Sequence, residues 1–315
     1  MPAAGAAPVR RLGIDVGGTK CLAVVLDHTG AVVGEERRPT PHGTQAIIDT
    51  IVALADECRP FTSIGVGVPG LVTREGMLRA APNLVDIADF RVGELLTERL
   101  GVAVEVDNDA TCATVAEWKC GAARGSSDCV LVTLGTGIGG GIVAGGVLLR
   151  GANGFTGEIG HMVVDPHGPA CPCGRNGCWE RYASGNGLGQ QAREAAGGGG
   201  LARVVELAGG DAASVRGEHV QVAAAEGDAA ALAVIDGYAR WVALGLVNLT
   251  NILDPQMFVL GGGLATAGEL YLAPIHRWMT RLLYAPELRP HPEVVFAEWG
   301  ERAGAVGAAL LPTVR

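Results

Sequence analysis

At 315 residues the chain is long enough for two domains, and at 48% hydrophobic and 18% charged its composition is that of a globular protein, with glycine in excess at 49 residues. A formal charge of −9 without any run of Lys or Arg argues against a nucleic-acid footprint. The first eleven residues hold no apolar core of signal-peptide length, and no segment offers eighteen uninterrupted apolar residues, so a soluble cytoplasmic protein is expected.

In chain order, residues 12–16 form a short apolar run that stops at Gly17-Gly18-Thr19-Lys20. Residues 21–26 and 31–35 read as two further strands, with a turn at 27–30. Helical spacing over 44–58 is followed by a strand at 63–68 that ends in the turn pair Pro69-Gly70. A helix at 90–100, a strand at 102–106 and a helix at 110–120 complete an α/β unit with a mixed sheet. A second unit starts with the strand 129–134, running into Gly135-Thr136-Gly137, and a hairpin over 138–149 that turns near Gly145-Gly146. Residues 182–222 are Ala- and Gly-rich and broken into helices at 197–200; 228–253 predicts a long, mostly apolar, central helix. A strand at 256–260 meets Gly261-Gly262-Gly263, and a helix (268–283), a strand (293–297) and a helix (303–311) close the chain. The halves share a sheet-first plan, without a sequence repeat that establishes duplication.

Three strands thus end in glycine clusters, where backbone N–H groups can point at an anion with no Cβ in the way. Thr19 and Thr136 add hydroxyl donors, and Asp15, just before the first cluster, is placed to hold Mg2+ directly or through water. Each cluster alone reads equally well as a tight turn; three together favour a nucleotide. Gly135-x-Gly137-x-x-Gly140 formally matches a dinucleotide fingerprint, but that motif needs a helix next and a hairpin is predicted here.

The segment between the hairpin and the helices concentrates further chemistry. His161, Cys171, Cys173 and Cys178 make a complete tetrahedral zinc set with no position left for water, so the metal is expected to shape the loop rather than react. Glu158 and Glu180 flank these ligands, and a bound metal would fix both carboxylates for recognition of a hydroxyl-rich molecule. Alternatively both are solvated surface charges. The other cysteines, at 21, 58, 112, 120 and 129, read as buried free thiols. Asp107-Asn108-Asp109, between a strand and a helix, offers either a base for a hydroxyl proton or simply a helix cap. Asn83, after Pro82, is a candidate for hydroxyl recognition or a plain turn residue.

LGIDVGGTK from Leu12, GVGVPG from Gly65, APNL from Ala81, DNDA from Asp107, LGTGIGGGIV from Leu134 and the block GEIGH…CPCGRNGCWE…ASG together resemble the ROK family of sugar kinases and sugar-responsive repressors, over essentially the whole chain. The resemblance implies an actin-like ATPase (ribonuclease H-like) α/β fold, two lobes with mixed sheets and a cleft between them. The small lobe would hold 1–110 and 300–315, and the large lobe 111–299 with its zinc loop at 161–178. It implies Asp109 as the base that takes the proton from a sugar 6-hydroxyl, with Asn83, Asn108, Glu158, His161 and Glu180 on the other hydroxyls. Asp15, Gly17, Gly18, Thr19, Lys20, Thr136 and Gly137 would serve ATP phosphates and Mg2+, with Gly262 and Gly263 near the adenosine. Cofactors would then be ATP, Mg2+ and a structural Zn2+, with glucose as sugar and a homodimer or homotetramer as assembly. Rival readings are another hexose (N-acetylmannosamine, fructose), polyphosphate as donor, or a non-catalytic sugar sensor. The DNA-binding members carry a helix-turn-helix ahead of the sugar domain, and eleven residues before the first strand are too few for one.

Overall fold

The computed structural model describes residues 9–80 and 89–314. It divides into two compact units, one of Met1–Ser127, Gly141–Gly157 and Glu298–Arg315, the other of Asp128–Gly140 and Glu158–Ala297. The first unit therefore takes in the helix at 109–120 and the segment 141–157, which the expected division at residue 110 assigned to the other lobe.

The first unit opens with β1 (Arg11–Val16), β2 (Lys20–Leu26) and β3 (Val32–Pro39), a meander followed by α1 (Thr44–Glu57). Then come β4 (Ser63–Val68), the short hairpin β5 (Leu71–Val72) and β6 (Leu78–Ala80), α2 (Val92–Leu100), β7 (Val104–Asn108) and α3 (Asp109–Cys120). The sheet order is β3-β2-β1-β4-β7; β1 is antiparallel to β2 and parallel to β4, and β4 is parallel to β7. β1, β2 and β4 are buried nearly throughout because helices cover both faces, the usual reason such strands read as continuous apolar runs. On one face α1 presents Ile47, Ile48, Ile51 and Leu54 to Leu12, Ile14, Ile64 and Val66. The β5–β6 hairpin was not predicted; strands of two and three residues leave no periodicity to read.

β7 runs to Asn108, two residues beyond the expected strand end, because Val68 pairs with Asn108 and keeps the ladder going. Asp109 is consequently the first residue of α3, at the tip of the parallel edge strand β7.

The second unit contains β8 (Cys129–Leu134) and the start of β9 (Ile138–Ala144), which turns at Gly145-Gly146, both at positive φ, into β10 (Val147–Leu148) as predicted. The strand after Gly135-x-Gly137 rules out the dinucleotide motif. Helices α4 (Glu180–Ala183), α5 (Gly185–Gly197), α6 (Ala202–Leu207), α7 (Gly217–Ala225) and α8 (Ala229–Leu253) lead to β11 (Met257–Gly261), α9 (Gly268–Leu282) and β12 (Glu293–Phe296). α8 is long and apolar enough to span a membrane by length and composition. It carries Asp236 and Arg240, and it buries Ile235, Tyr238, Val242 and Leu246 against its own unit as the expected central helix. Its N-cap is Asp228, which accepts the Ala231 N–H at 2.8 Å.

The second sheet runs β10-β9-β8-β11-β12, the same order of three meander strands and two crossover strands as the first. The chain ends in α10 (Ala303–Leu310), back in the first unit, where it lies directly on β1 and β4. A Cβ at Gly13 would fall 1.9 Å from the Ala305 carbonyl oxygen, so helix and strand touch backbone to backbone.

Candidate active site

In the first unit the β1–β2 turn is braced from below. The Gly17 N–H donates to the Lys20 carbonyl at 2.9 Å, and the Thr40 hydroxyl and N–H donate to the Gly17 and Thr19 carbonyls at 2.6 and 3.0 Å. Gly17, Gly18 and Thr19 thereby line a cavity of about 530 Å3 with Thr40, His42 and Thr44. The Lys20 ammonium pairs with Glu301, which also takes Arg37 at 2.6 Å; these two cations hold the Glu301 carboxyl down at about 2.

Asp15 precedes this turn. Burial, reinforced by the Asp109 carboxylate and opposed by Lys20, pushes its carboxyl up to about 7. Its Oδ1 is buried and finds no hydrogen-bond partner among the described residues. An orphaned carboxylate oxygen in a polar turn is what a hard divalent cation such as Mg2+ satisfies. Close packing on Gly304 holds the group there: a Cβ at Gly304 would lie 2.5 Å from Asp15 Cγ. A Cβ at Gly67 would be 3.4 Å from Asp15 Oδ1 and 3.6 Å from Asp109 Cα, so one small neighbourhood holds both acids.

Asp109 accepts the Ala110 N–H on Oδ1 at 2.8 Å, and burial raises its carboxyl above the ordinary range. Asn108 is the N-cap of α3, its Oδ1 accepting the N–H groups of Ala110 and Thr111 at 2.9 and 3.1 Å. Its Nδ2 donates to the Gly70 carbonyl at 3.1 Å, and its side chain also hydrogen-bonds the Asp109 carboxylate. The cap reading of this tripeptide therefore belongs to Asn108. Asn83 lies outside the described residues.

In the second unit Leu134, Gly135, Thr136, Gly263 and Leu264 line a cavity of about 360 Å3 with Asn186, Arg193, Arg216, Glu218 and Gln221. Thr136 and Gly263 were expected near a nucleotide; the helical residues were not. They come from α5, α7 and the segment just before α7, and no local motif marks them. The ASG segment contributes by its backbone: the Gly185 N–H donates to the Gly135 carbonyl at 2.7 Å.

The metal-ligand candidates do converge. One ligand atom from each of His161, Cys171, Cys173 and Cys178 lies within 4.8 Å of all the others. Cys173 and Cys178 Sγ are 3.5 Å apart, and Cys171 Sγ is 3.9 Å from His161 Nδ1. Zn–S bonds of about 2.3 Å in a tetrahedron imply sulfur separations near 3.8 Å, so the set fits the ion. The loop is shaped by its own backbone, with Cys171 N–H on the Arg175 carbonyl (2.7 Å) and Trp179 N–H on the Met162 carbonyl (2.8 Å). Trp179, fully buried, anchors it by donating its ring N–H to the Trp241 carbonyl of α8 at 2.8 Å. Burial holds the Cys171 and Cys178 thiols above their ordinary range, while the Arg175 N–H lowers Cys173; a bound cation would take all three as thiolates. Of the other cysteines four are buried and Cys120 is half-buried, all as free thiols.

Glu180 ties this loop to the glycine turn at 135–137. Oε1 is 3.2 Å from Cys171 Sγ and 3.8 Å from His161 Nδ1, and Oε2 accepts the Ile138 N–H at 3.4 Å. A Cβ at Gly137 would fall 2.8 Å from Oε2, so the glycine leaves room for the Glu180 carboxylate beside the turn. Glu158 lies 3.9 Å from His161 Nε2, on the ring edge away from the sulfurs. One imidazole can therefore serve a metal through Nδ1 and a hydroxyl through Nε2.

Comparison with known proteins agrees with this geometry. Residues 11–314 match the ROK family. The chain is 38% identical to a glucokinase of Streptomyces coelicolor over 306 residues, covering 95% of this chain and 96% of that one. It is 34% identical to an N-acetylmannosamine kinase of Escherichia coli over 305 residues, covering 95% and 97%. Among solved structures, a ROK family glucokinase from Streptomyces griseus in complex with glucose and AMPPNP superposes with a TM-score of 0.85 at 38% identity, covering 97% of this chain and 99% of that one.

Proposed function

This chain belongs to the ROK family, and from that premise we propose that it is a glucokinase, transferring the γ-phosphoryl group of ATP to the 6-hydroxyl of glucose. The observation that carries the reading is Asp109, a half-buried carboxylate of raised pKa at a strand tip, packed in one neighbourhood with Asp15 and the braced glycine turn. Phosphoryl transfer needs little covalent chemistry from the protein; positioning, phosphate-binding N–H groups and one proton acceptor suffice.

In this mechanism Asp109 takes the 6-hydroxyl proton. Its carboxylate is held in place by the Ala110 N–H on Oδ1 and by the Asn108 side chain. Burial brings its pKa closer to the working pH, which favours a base that must both be ionised and hold a proton. Asn108, Glu158, His161 and Glu180 bind other sugar hydroxyls, and Asn83 is assigned to the same task. The turns Gly17-Gly18-Thr19-Lys20 and Thr136-Gly137 bind phosphates, and Gly262 and Gly263 border the adenosine. Mg2+, when held at Asp15, would neutralise phosphate charge. Zn2+ on His161, Cys171, Cys173 and Cys178 would hold the sugar-binding acids in register and take no part in the chemistry.

The test is a coupled ATP-consumption assay over glucose, mannose, fructose, N-acetylglucosamine and N-acetylmannosamine, with polyphosphate as a second donor. Glucose-dependent turnover with the highest kcat/KM supports the proposal. The 34% identity to an N-acetylmannosamine kinase favours that sugar as the second reading, and preferential turnover of it would replace glucose.

A further inference from the structure

We infer that Arg150 is a positioning residue for the transfer, and that its ion pair with Asp107 aims the tip of β7 and with it the Asp109 carboxylate. The inference rests on Asp109 being the base. Arg150 follows β10, and its Nε donates to Asp107 Oδ2 at 2.9 Å. Asp107 Oδ1 accepts the Asn108 N–H at 2.9 Å. Asn108 in turn caps α3 through Ala110 and Thr111 and grips the Gly70 carbonyl. A continuous chain of directional bonds therefore runs from the guanidinium to the first turn of α3, where Asp109 sits.

The pair is largely removed from water, its side chains 20% and 8% exposed for Arg150 and Asp107. Buried pairs of this kind add little net stability, because desolvation offsets attraction, whereas breaking one leaves an uncompensated charge. Without Arg150, Asp107 would take up a proton or turn towards water, releasing the Asn108 N–H and loosening the strand tip. Asp107 bonds to Arg150 and to the Asn108 N–H, so its effect on chemistry passes through the position of Asp109.

Arg150 and Asp107 also line a cavity of about 510 Å3 with Thr73, Arg74, Glu105 and Gly151, roomy enough for a small guanidinium ion. That opens a direct experiment on the full-length enzyme. Arg150→Ala is expected to lower kcat ~10²-fold, the scale of a small misplacement of a reacting group, with the KM for ATP unchanged. Millimolar methylguanidinium should restore part of kcat saturably, and urea, its neutral counterpart, should not. The double variant Arg150→Met/Asp107→Asn removes both charges; its thermal midpoint should return to that of the wild type while kcat stays low. Wild-type kcat in Arg150→Ala, or recovery of midpoint and kcat together in the double variant, would overturn the inference. Asp109→Asn runs alongside: an active Asp109→Asn removes the base assignment itself, whereas an inactive one beside a fully active Arg150→Ala sinks only the role of Arg150.

Discussion

Asp109→Asn separates catalysis from stability with particular clarity. The amide keeps the oxygen that accepts the Ala110 N–H at 2.8 Å, so the first turn of α3 is preserved and only the proton-accepting oxygen is lost. Loss of a general base costs ~10²–10⁴-fold in kcat, which is about 2.7–5.4 kcal/mol of transition-state stabilisation. Stability should move the other way. Burial raises the folded-state pKa of Asp109 above its unfolded value of 3.8, so the folded protein binds this proton more tightly. The resulting stabilisation is fully present below pH 3.8 and is lost as pH rises through the folded pKa. At pH 8 the wild type carries the charged, desolvated form, and the neutral amide should be as stable or more stable. At pH 4 the difference should shrink. Coupled-assay kcat and urea midpoints at both pH values test this together. A loss below about tenfold with an unchanged midpoint would refute the base assignment. A marked fall in midpoint at pH 8 would refute the account of its burial.

Other outcomes follow from the same contacts. Cys173→Ser should lower bound zinc per chain, measured by atomic absorption, and raise the KM for sugar; undiminished metal content would remove Cys173 from the ligand set. Glu180→Gln should raise the glucose KM by roughly 10–100-fold, the value of a hydrogen bond to a charged group, and more than Asp109→Asn does; the opposite ranking would exchange their roles. Glu117→Ala should cost about 3 kcal/mol or more in urea denaturation. Its buried carboxylate accepts three backbone N–H groups, from Ala122, Glu298 and Trp299, at 2.9, 3.1 and 2.8 Å, and the truncation strands all three. A neutral result would mean that water replaces it.

How much could be read from the chain alone varied with the range of the interaction. Strands β1, β4, β8 and β11, the hairpin at Gly145-Gly146 and the long helix α8 were legible because apolar runs, periodicity and turn chemistry are local. The Cys3His set was legible because four ligands of a strict stoichiometry lie within eighteen positions. Asp107, Asn108 and Asp109 stood out as a polar tripeptide, but their division of labour did not. Which one caps the helix and which one is buried against Arg150 follows from the register of β7 on β4, set by partners forty residues away. The helical wall of the 360 Å3 cavity was invisible for a related reason: Arg193 and Gln221 sit on helices whose local pattern encodes only which face is buried. The shared strand order of the two sheets was likewise hidden, since backbone pairing repeats without any repeat of side chains. The sequence by itself determined the fold class, the glycine turns and the clustering of His161 with three cysteines, because glycine conformations and ligand spacing act over a few residues. Tertiary structure alone decided the raised pKa of Asp15 and Asp109 and the bonds at the tip of β7, because desolvation and ion pairing depend on what the folded chain packs around them.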